Sequence, residues 1–236
     1  MIELFWGDLD VSDDELDVRR TTLSPEEFQR AGRYRFERDR RRFVARRGMV
    51  RAILARRLDC SPGALDLVVD EWGKPFVPGT GTHLSFNLSH SQSMAVVAVS
   101  DGRPVGVDLE VARPDPGDAD VARHFFTAAE MSGLMKAPDA EFGMGFLRVW
   151  TRKEAWVKAK GQGLSIPLDS FDVSSGPGAR LLDVRSEPGE RARWLLADVS
   201  GRYHGVEVVA CVAATGADWN VGSVEWSPQP PAAIFS

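Results

Sequence analysis

Apolar residues recur along this chain with two periods, and the switches between them mark its elements. Leu147, Trp150, Glu154 and Val157 share one helical stripe, at i, i+3, i+7 and i+10. That stripe predicts a helix over residues 146–160, stopped by Gly161 and Gly163. A second long helix is expected over 38–58, where Phe43, Val50, Ile53, Leu54 and Leu58 recur among arginines until Ser61-Pro62-Gly63 breaks it. Ser24-Pro25-Glu26-Glu27 predicts another helix start, with a Ser N-cap, Pro at N1 and a capping Glu. Thr127-Ala128-Ala129-Glu130 repeats the capping-box signature after a short helix expected around 121–126.

Alternating stretches predict strands. Residues 1–7 read as a first strand followed by an acidic loop, and 65–70 as a second strand before a turn at Trp72-Gly73-Lys74-Pro75. Stretches 84–89, 94–100 and 104–111 read as an antiparallel meander, with turns at 90–93 and at Asp101-Gly102, a hairpin signal. Further strands are expected near 171–173, 193–197 and 205–213. Residues 111–120, rich in Pro, Asp and Gly, have linker chemistry and divide the chain into 1–111 and 112–236. The proline-rich tail 227–236 reads as an extended strap or a disordered end. Each half has a long helix followed by strands. The expectation is an α+β protein of two pseudo-twofold-related α/β subdomains, each a long helix on a mainly antiparallel sheet, with a cleft between them.

Charge sharpens this picture. The net charge of −5 argues against general nucleic-acid binding, yet residues 30–57 hold twelve arginines against Glu37 and Asp39. So basic a run points to an anionic ligand such as a phosphate, or to a solvated helix face. Cys60 and Cys211 lack metal-type spacing and read as buried free thiols in a reducing compartment. The acidic N-terminus lacks the regions of a signal peptide, and no apolar run approaches membrane-spanning length. A cytoplasmic protein without membrane contact is expected.

In Pro104-Val-Gly-Val-Asp-Leu-Glu-Val111 the valines and Leu109 face one way, while Gly106, Asp108 and Glu110 face the other. Two carboxylates about 7 Å apart on one strand suit a hard divalent cation; they also suit a solvent-facing strand. Gly106 leaves room for a close neighbour. Glu154 interrupts an apolar stripe and needs a partner, which Lys158 one turn on can supply. Ser89 and His90 stand at a turn, where both can donate hydrogen bonds to a phosphate. They are not a nucleophile–base pair, because neighbours on a strand point to opposite faces.

Gly73-Lys74-Pro75, Phe86-Asn-Leu-Ser-His90, Gly106-Val-Asp-Leu-Glu110, Phe126-Thr-Ala-Ala-Glu130 and Trp150-Thr-Arg-Lys-Glu-Ala-Trp-Val-Lys158 with Gly161-Gln-Gly-Leu164 come in a fixed order. That order resembles the 4′-phosphopantetheinyl transferases, and within them the Sfp type, over about residues 20–175. The resemblance implies transfer of the phosphopantetheine arm of coenzyme A to a serine of an acyl or peptidyl carrier protein, with release of 3′,5′-ADP. The carriers would be those of polyketide, nonribosomal peptide or fatty acid synthases, and the enzyme a monomer. The resemblance also implies Mg²⁺ held by Asp108, Glu110 and Glu154, with Glu154 as base and Lys158 stabilising the leaving group. Arg30, Arg42, Lys74, Ser89, His90 and Lys158 would bind coenzyme A, with Arg41 or Arg46 in reserve because Phe43 stands where some relatives carry a hydroxyl. Residues 111–122 and those before Thr127 are candidates for carrier docking. An inactive coenzyme A or carrier-binding module and a Mg²⁺-dependent pyrophosphohydrolase are the competing readings.

Overall fold

The structure, a computed structural model, describes residues 1–80, 83–113, 115, 118–136 and 138–226. The tail 227–236 and three positions of the expected linker, 114, 116 and 117, lie outside the described residues. Strand β1 (Ile2–Asp8) leads into helices α1 (Asp13–Arg20), α2 (Pro25–Ala31) and α3 (Glu37–Arg57). Strands β2 (Val68–Val69), β3 (Pro75–Phe76), β4 (Leu84–Ser91), β5 (Met94–Asp101) and β6 (Val105–Val111) follow. Next come α4 (Asp118–Phe125), α5 (Ala128–Leu134) and α6 (Asp139–Lys160), and then β7 (Phe171–Val173) and β8 (Leu181–Val184). The chain continues through α7 (Glu190–Arg193), β9 (Trp194–Asp198), β10 (Gly201–Tyr203), β11 (Val206–Thr215) and β12 (Val221–Glu225). The fold is α+β, as expected.

Alternation along the strands builds three apolar layers. Ala95, Val97 and Val99 of β5 pack under α3 with Phe43, Met49 and Ile53. The other face of β5 joins Ile2, Leu4 and Trp6 of β1 against Val105, Val107 and Leu109 of β6 and Val208, Ala210 and Val212 of β11. The far face of β11, with Val209, Cys211 and Ala213, packs on Trp156 and Ala159 of α6. The order through the molecule is thus helix, sheet, sheet, helix, with sheets β12-β1-β5-β4 and β10-β11-β6 facing each other.

The expected meander is half right. Strands β4 and β5 form the antiparallel hairpin, with Gln92 at φ 52 in its turn. Strand β6 does not return along β5; it pairs antiparallel with β11, Asp108 opposite Cys211. Asp101-Gly102 is a corner between sheets, since a glycine at φ 75 serves a corner as well as a hairpin. The outer edge of β6 is covered by side chains of β4. The Val105 N–H donates to Ser85 Oγ (3.3 Å), that of Val107 to Asn87 Oδ1 (2.9 Å) and that of Leu109 to Ser89 Oγ (3.4 Å). A strand edge left unpaired costs free energy, so these three side chains do the work of a missing neighbour strand.

Other differences have local causes. The acidic loop contains α1: Ser12 caps it by accepting from Glu15 N–H, and Asp13, Asp14 and Glu15 favour a helix N-terminus. The strand expected over 65–70 shrinks to Val68–Val69, because Arg51 takes the carbonyls of Pro62 and Leu65. Helix α6 begins seven residues early, at Asp139. Gly145 there is a packing contact and not a break, since a Cβ would come within 2.8 Å of Leu134 Cδ2. Cys60 is exposed, because the chain turns outward after α3 with Asp59 at φ 50; Cys211 is buried. Both capping boxes form as expected, at Ser24–Glu27 and Thr127–Glu130. No helix among the described residues is long and apolar enough to cross a membrane.

Helix α6 is buried on nearly every side, and two of its charges are locked inside. Arg152, fully buried, forms an ion pair with Asp198 and donates to the carbonyls of Ser174 and Gly176. Lys153, also fully buried, lies 2.8 Å from Glu130 and donates to the carbonyls of Leu168 and Phe171. Glu130 accepts in addition from the N–H groups of Thr127 and Val173.

Two expectations follow from this packing. Gly106→Ala places a Cβ 2.2 Å from Ala155 O and 2.3 Å from Ala159 N, so β6 and α6 must separate. Urea titration should show a loss of about 3 kcal/mol. Lys153→Met leaves the buried Glu130 carboxylate without its cation and should cost roughly 3–5 kcal/mol, much of it recovered in Lys153→Met/Glu130→Gln. Equal melting temperatures for the single and double variants would sink that account.

Candidate active site

The contact at Gly106 brings the acids of β6 onto α6. Asp108, Glu110, Glu154 and Lys158 line one open pocket of about 360 Å³, together with Leu88, Ser89, His90 and Trp150. Lys158 Nζ is 2.6 Å from Asp108 Oδ1, and Ser89 Oγ donates to the same oxygen at 2.7 Å. Lys158 also donates to Ser89 Oγ at 3.1 Å. One step along both strands, Ser91 Oγ donates to Glu110 Oε2 at 2.6 Å. The β4 side chains that cover the edge of β6 therefore also orient its acids. The i,i+4 pair between Glu154 and Lys158 is replaced by the longer-range pair Lys158–Asp108.

Negative charge is in excess here. Burial raises the carboxyl of Glu154 above its ordinary range, and neighbouring Asp108 and Glu110 raise it further against the pull of Lys158. Burial and Asp108 raise Glu110 likewise, opposed by the Ser91 hydrogen bond. Asp108 Oδ2 is buried with no hydrogen-bond partner. An orphaned carboxylate oxygen beside two acids that resist ionisation, all oxygen donors, fits a hard divalent cation. No group of three acidic, histidine or cysteine side chains among the described residues is arranged as a ready-made metal cluster. The donor chemistry fits a cation, while the convergence is incomplete and Lys158 supplies the positive charge on Asp108.

Cations gather on the pocket's other rim. His90 keeps exposed surface, yet partial burial and the charges of Arg46, Lys158 and Arg42 pull its imidazole down to about 4. Burial and the charges of Arg47 and Arg30 lower the pKa of Arg46, against the hydrogen bond and charge of Tyr34. Such crowding of like charge is relieved by an anion. Arg46 and Arg30 flank the Phe43 ring, with guanidinium carbons 5.7 and 5.5 Å from its centroid. Beyond them, Arg30 and Arg33 line a second hollow with Tyr34.

Most of the arginine run has structural work. Arg47 and Arg51 hold the buried Glu27, which ties α2 to α3. Arg41 is paired with Asp13. Arg42 makes a two-pronged pair with Asp10, both contacts at 2.6 Å, which the spacing of the sequence does not reveal. Arg46 and Arg42 both act on His90 through their charge. Lys74 does not reach this pocket: its Nζ lies on the carbonyls of Lys158 and Ala159 at the end of α6. Lys153 also escaped sequence reasoning. Its signal was present, since Val149, Lys153 and Trp156 form an apolar stripe at i, i+4 and i+7.

Known proteins resemble this chain along most of its length. Residues 104–211 match the model of the 4′-phosphopantetheinyl transferase superfamily, and residues 10–102 that of the 4′-phosphopantetheinyl transferase N-terminal region. The 4′-phosphopantetheinyl transferase HetI of Nostoc sp. is 38% identical over 171 residues, covering 72% of this chain and 72% of the relative. The 4′-phosphopantetheinyl transferase Sfp of Bacillus subtilis is 31% identical, over 70% of this chain and 72% of its own length. A phosphopantetheinyl transferase of Thraustochytrium sp. is 34% identical, over 69% and 61% respectively. With Asp108, Glu110, Glu154 and Lys158 inside those matches, this chain belongs to the 4′-phosphopantetheinyl transferase superfamily.

Proposed function

We propose that this protein transfers the 4′-phosphopantetheine arm of coenzyme A to a serine of an apo acyl or peptidyl carrier protein and releases 3′,5′-ADP. The observation that carries the reading is a single pocket with acids on one wall and a cationic rim on the other. Named relatives along more than two thirds of the chain are transferases, which gives no support to an inactive binding module or a pyrophosphohydrolase.

The reaction is a phosphoryl transfer, so positioning and charge neutralisation supply most of the acceleration. Arg46 and His90 receive phosphate oxygens; Arg42 joins them on release from Asp10, and Arg30 extends the cationic path past Phe43. Asp108, Glu110 and Glu154 would hold Mg²⁺, which when bound neutralises the pyrophosphate and polarises the bond under attack. Glu154, lining the pocket, takes the serine proton as the new phosphorus–oxygen bond forms and the bond to 3′,5′-ADP breaks, a role that competes with holding the cation. Lys158 stabilises the charge left on the departing 3′,5′-ADP. The subdomains proposed are 1–111 and 112–236, while the two family matches part between residues 102 and 104, ahead of β6. Trp150, half-buried in the wall of the pocket, and exposed Phe125 are in edge contact at 6.1 Å near the candidate segment for carrier docking.

Apo carrier protein incubated with coenzyme A, Mg²⁺ and this protein should gain the mass of one phosphopantetheine arm, and EDTA should abolish the gain. Several carrier types left unmodified with Mg²⁺ present would refute the transferase reading. Glu154→Gln separates a catalytic from a structural acid. Turnover should fall by about 10² or more. The folded pKa of Glu154 lies above the ordinary 4.5, so its ionisation costs stability as pH rises above that value. Without divalent cations the Gln variant should therefore melt higher than wild type at pH 7, and the gap should close in acid below 4.5. A variant that melts lower at pH 7 and loads carrier normally contradicts the assignment.

A further inference from the structure

Lys74 touches both elements that carry the site. Its Nζ donates to Lys158 O at 2.8 Å, to Ala159 O at 3.3 Å and to Val105 O at 3.3 Å. Two of these carbonyls belong to the last turn of α6, and the third opens β6. A helix end leaves carbonyls without intrahelical donors and gathers partial negative charge. Gly161, at φ 77, satisfies only Val157 O, so the next two carbonyls fall to the lysine. The reach is prepared locally. Asp70 Oδ1 accepts from the N–H groups of Trp72 (3.0 Å) and Lys74 (2.8 Å), and Gly73 bends the turn at φ 84. The lysine stem then passes over Gly161, where a Cβ would come within 3.3 Å of Lys74 Cδ. Burial draws the ammonium down to about 8, as befits a cation held by carbonyls in place of water.

We propose that Lys74 is a positioning residue: its ammonium clasps the end of α6 to the start of β6, and so sets Lys158 and Glu154 against Asp108. It acts through Lys158 and does not hold a phosphate. The effect on turnover rests on the transferase reading above; the clasp itself does not.

The test is Lys74→Met, which keeps the stem and removes the ammonium. Turnover should fall about tenfold to a hundredfold, as for a misplaced catalytic group, with the KM for coenzyme A within about twofold of wild type. In the protein without substrate, hydrogen exchange at the amides of residues 158–161 should quicken about tenfold, while the last turn of α3 keeps its rates. Asp70→Ala, which loosens the turn without touching α6, should show the same pattern more weakly and serves if the first variant does not fold. A raised KM with unchanged turnover would make Lys74 a phosphate ligand, and unchanged exchange would remove the clasp; either overturns the proposal. Wild-type protein that loads no carrier would defeat the function, and the exchange measurement would still decide the clasp.

Discussion

Strand β6 is gripped along both edges and on one face, and the site is a product of that grip. One edge is laddered to β11, and the other is satisfied by Ser85, Asn87 and Ser89 of β4. Its small face, opened at Gly106, admits α6 to near backbone contact. Backbone hydrogen bonds and apolar burial of Val105, Val107 and Leu109 hold the strand against the cost of setting a buried Asp108 and a half-buried Glu110 on it. That hold lets Asp108 and Glu110 be set where they repel each other and Glu154. Such local frustration, tolerated because the surroundings overdetermine the fold, is common at functional sites.

The pocket's charges are separated by element as well as by sign. Acids come from β6 and α6, in the middle of the sequence; the cationic rim comes from α3 and β4. Neither group is neutralised within its own element. An anionic ligand with a divalent cation answers both excesses at once, and Lys158 spans the boundary between them.

Much of the architecture was legible in the sequence because local chemistry and tertiary role agreed. Ser24 and Thr127 cap the helices they announce, and Gly161 stops α6 where its left-handed conformation is required. Legibility failed where one local signal has two tertiary uses. Asp101-Gly102 turns a hairpin or a corner with the same glycine, and only the remote partner β11 decides. Gly145 looks like a helix breaker until Leu134 is seen to occupy its missing side chain's space. The stripe of Val149, Lys153 and Trp156 turns Lys153 inward, but nothing nearby in sequence tells of its partner Glu130, or of Asp198 for Arg152. At the site, Ser89, His90, Asp108, Glu110, Glu154 and Lys158 do meet, whereas Arg30 lines a second hollow, Arg42 is held by Asp10, and the carbonyl partners of Lys74 lie 84 and 85 positions away. Asp10, the partner of Arg42, was invisible for the same reason.

The offset between β4 and β6 makes the intervening segment a ruler. Ser85, Asn87 and Ser89 each serve the residue 20 positions later, and the same offset nearly aligns Ser89 and Ser91 with Asp108 and Glu110, at 19. One residue gained or lost between them, if absorbed by sliding β6, would turn both acids into the apolar layer and offer Leu109 to the pocket. Two residues would restore the faces but hand each acid to the wrong hydroxyl. The hairpin beside the site, and the corner that follows it, are therefore bound to keep their count.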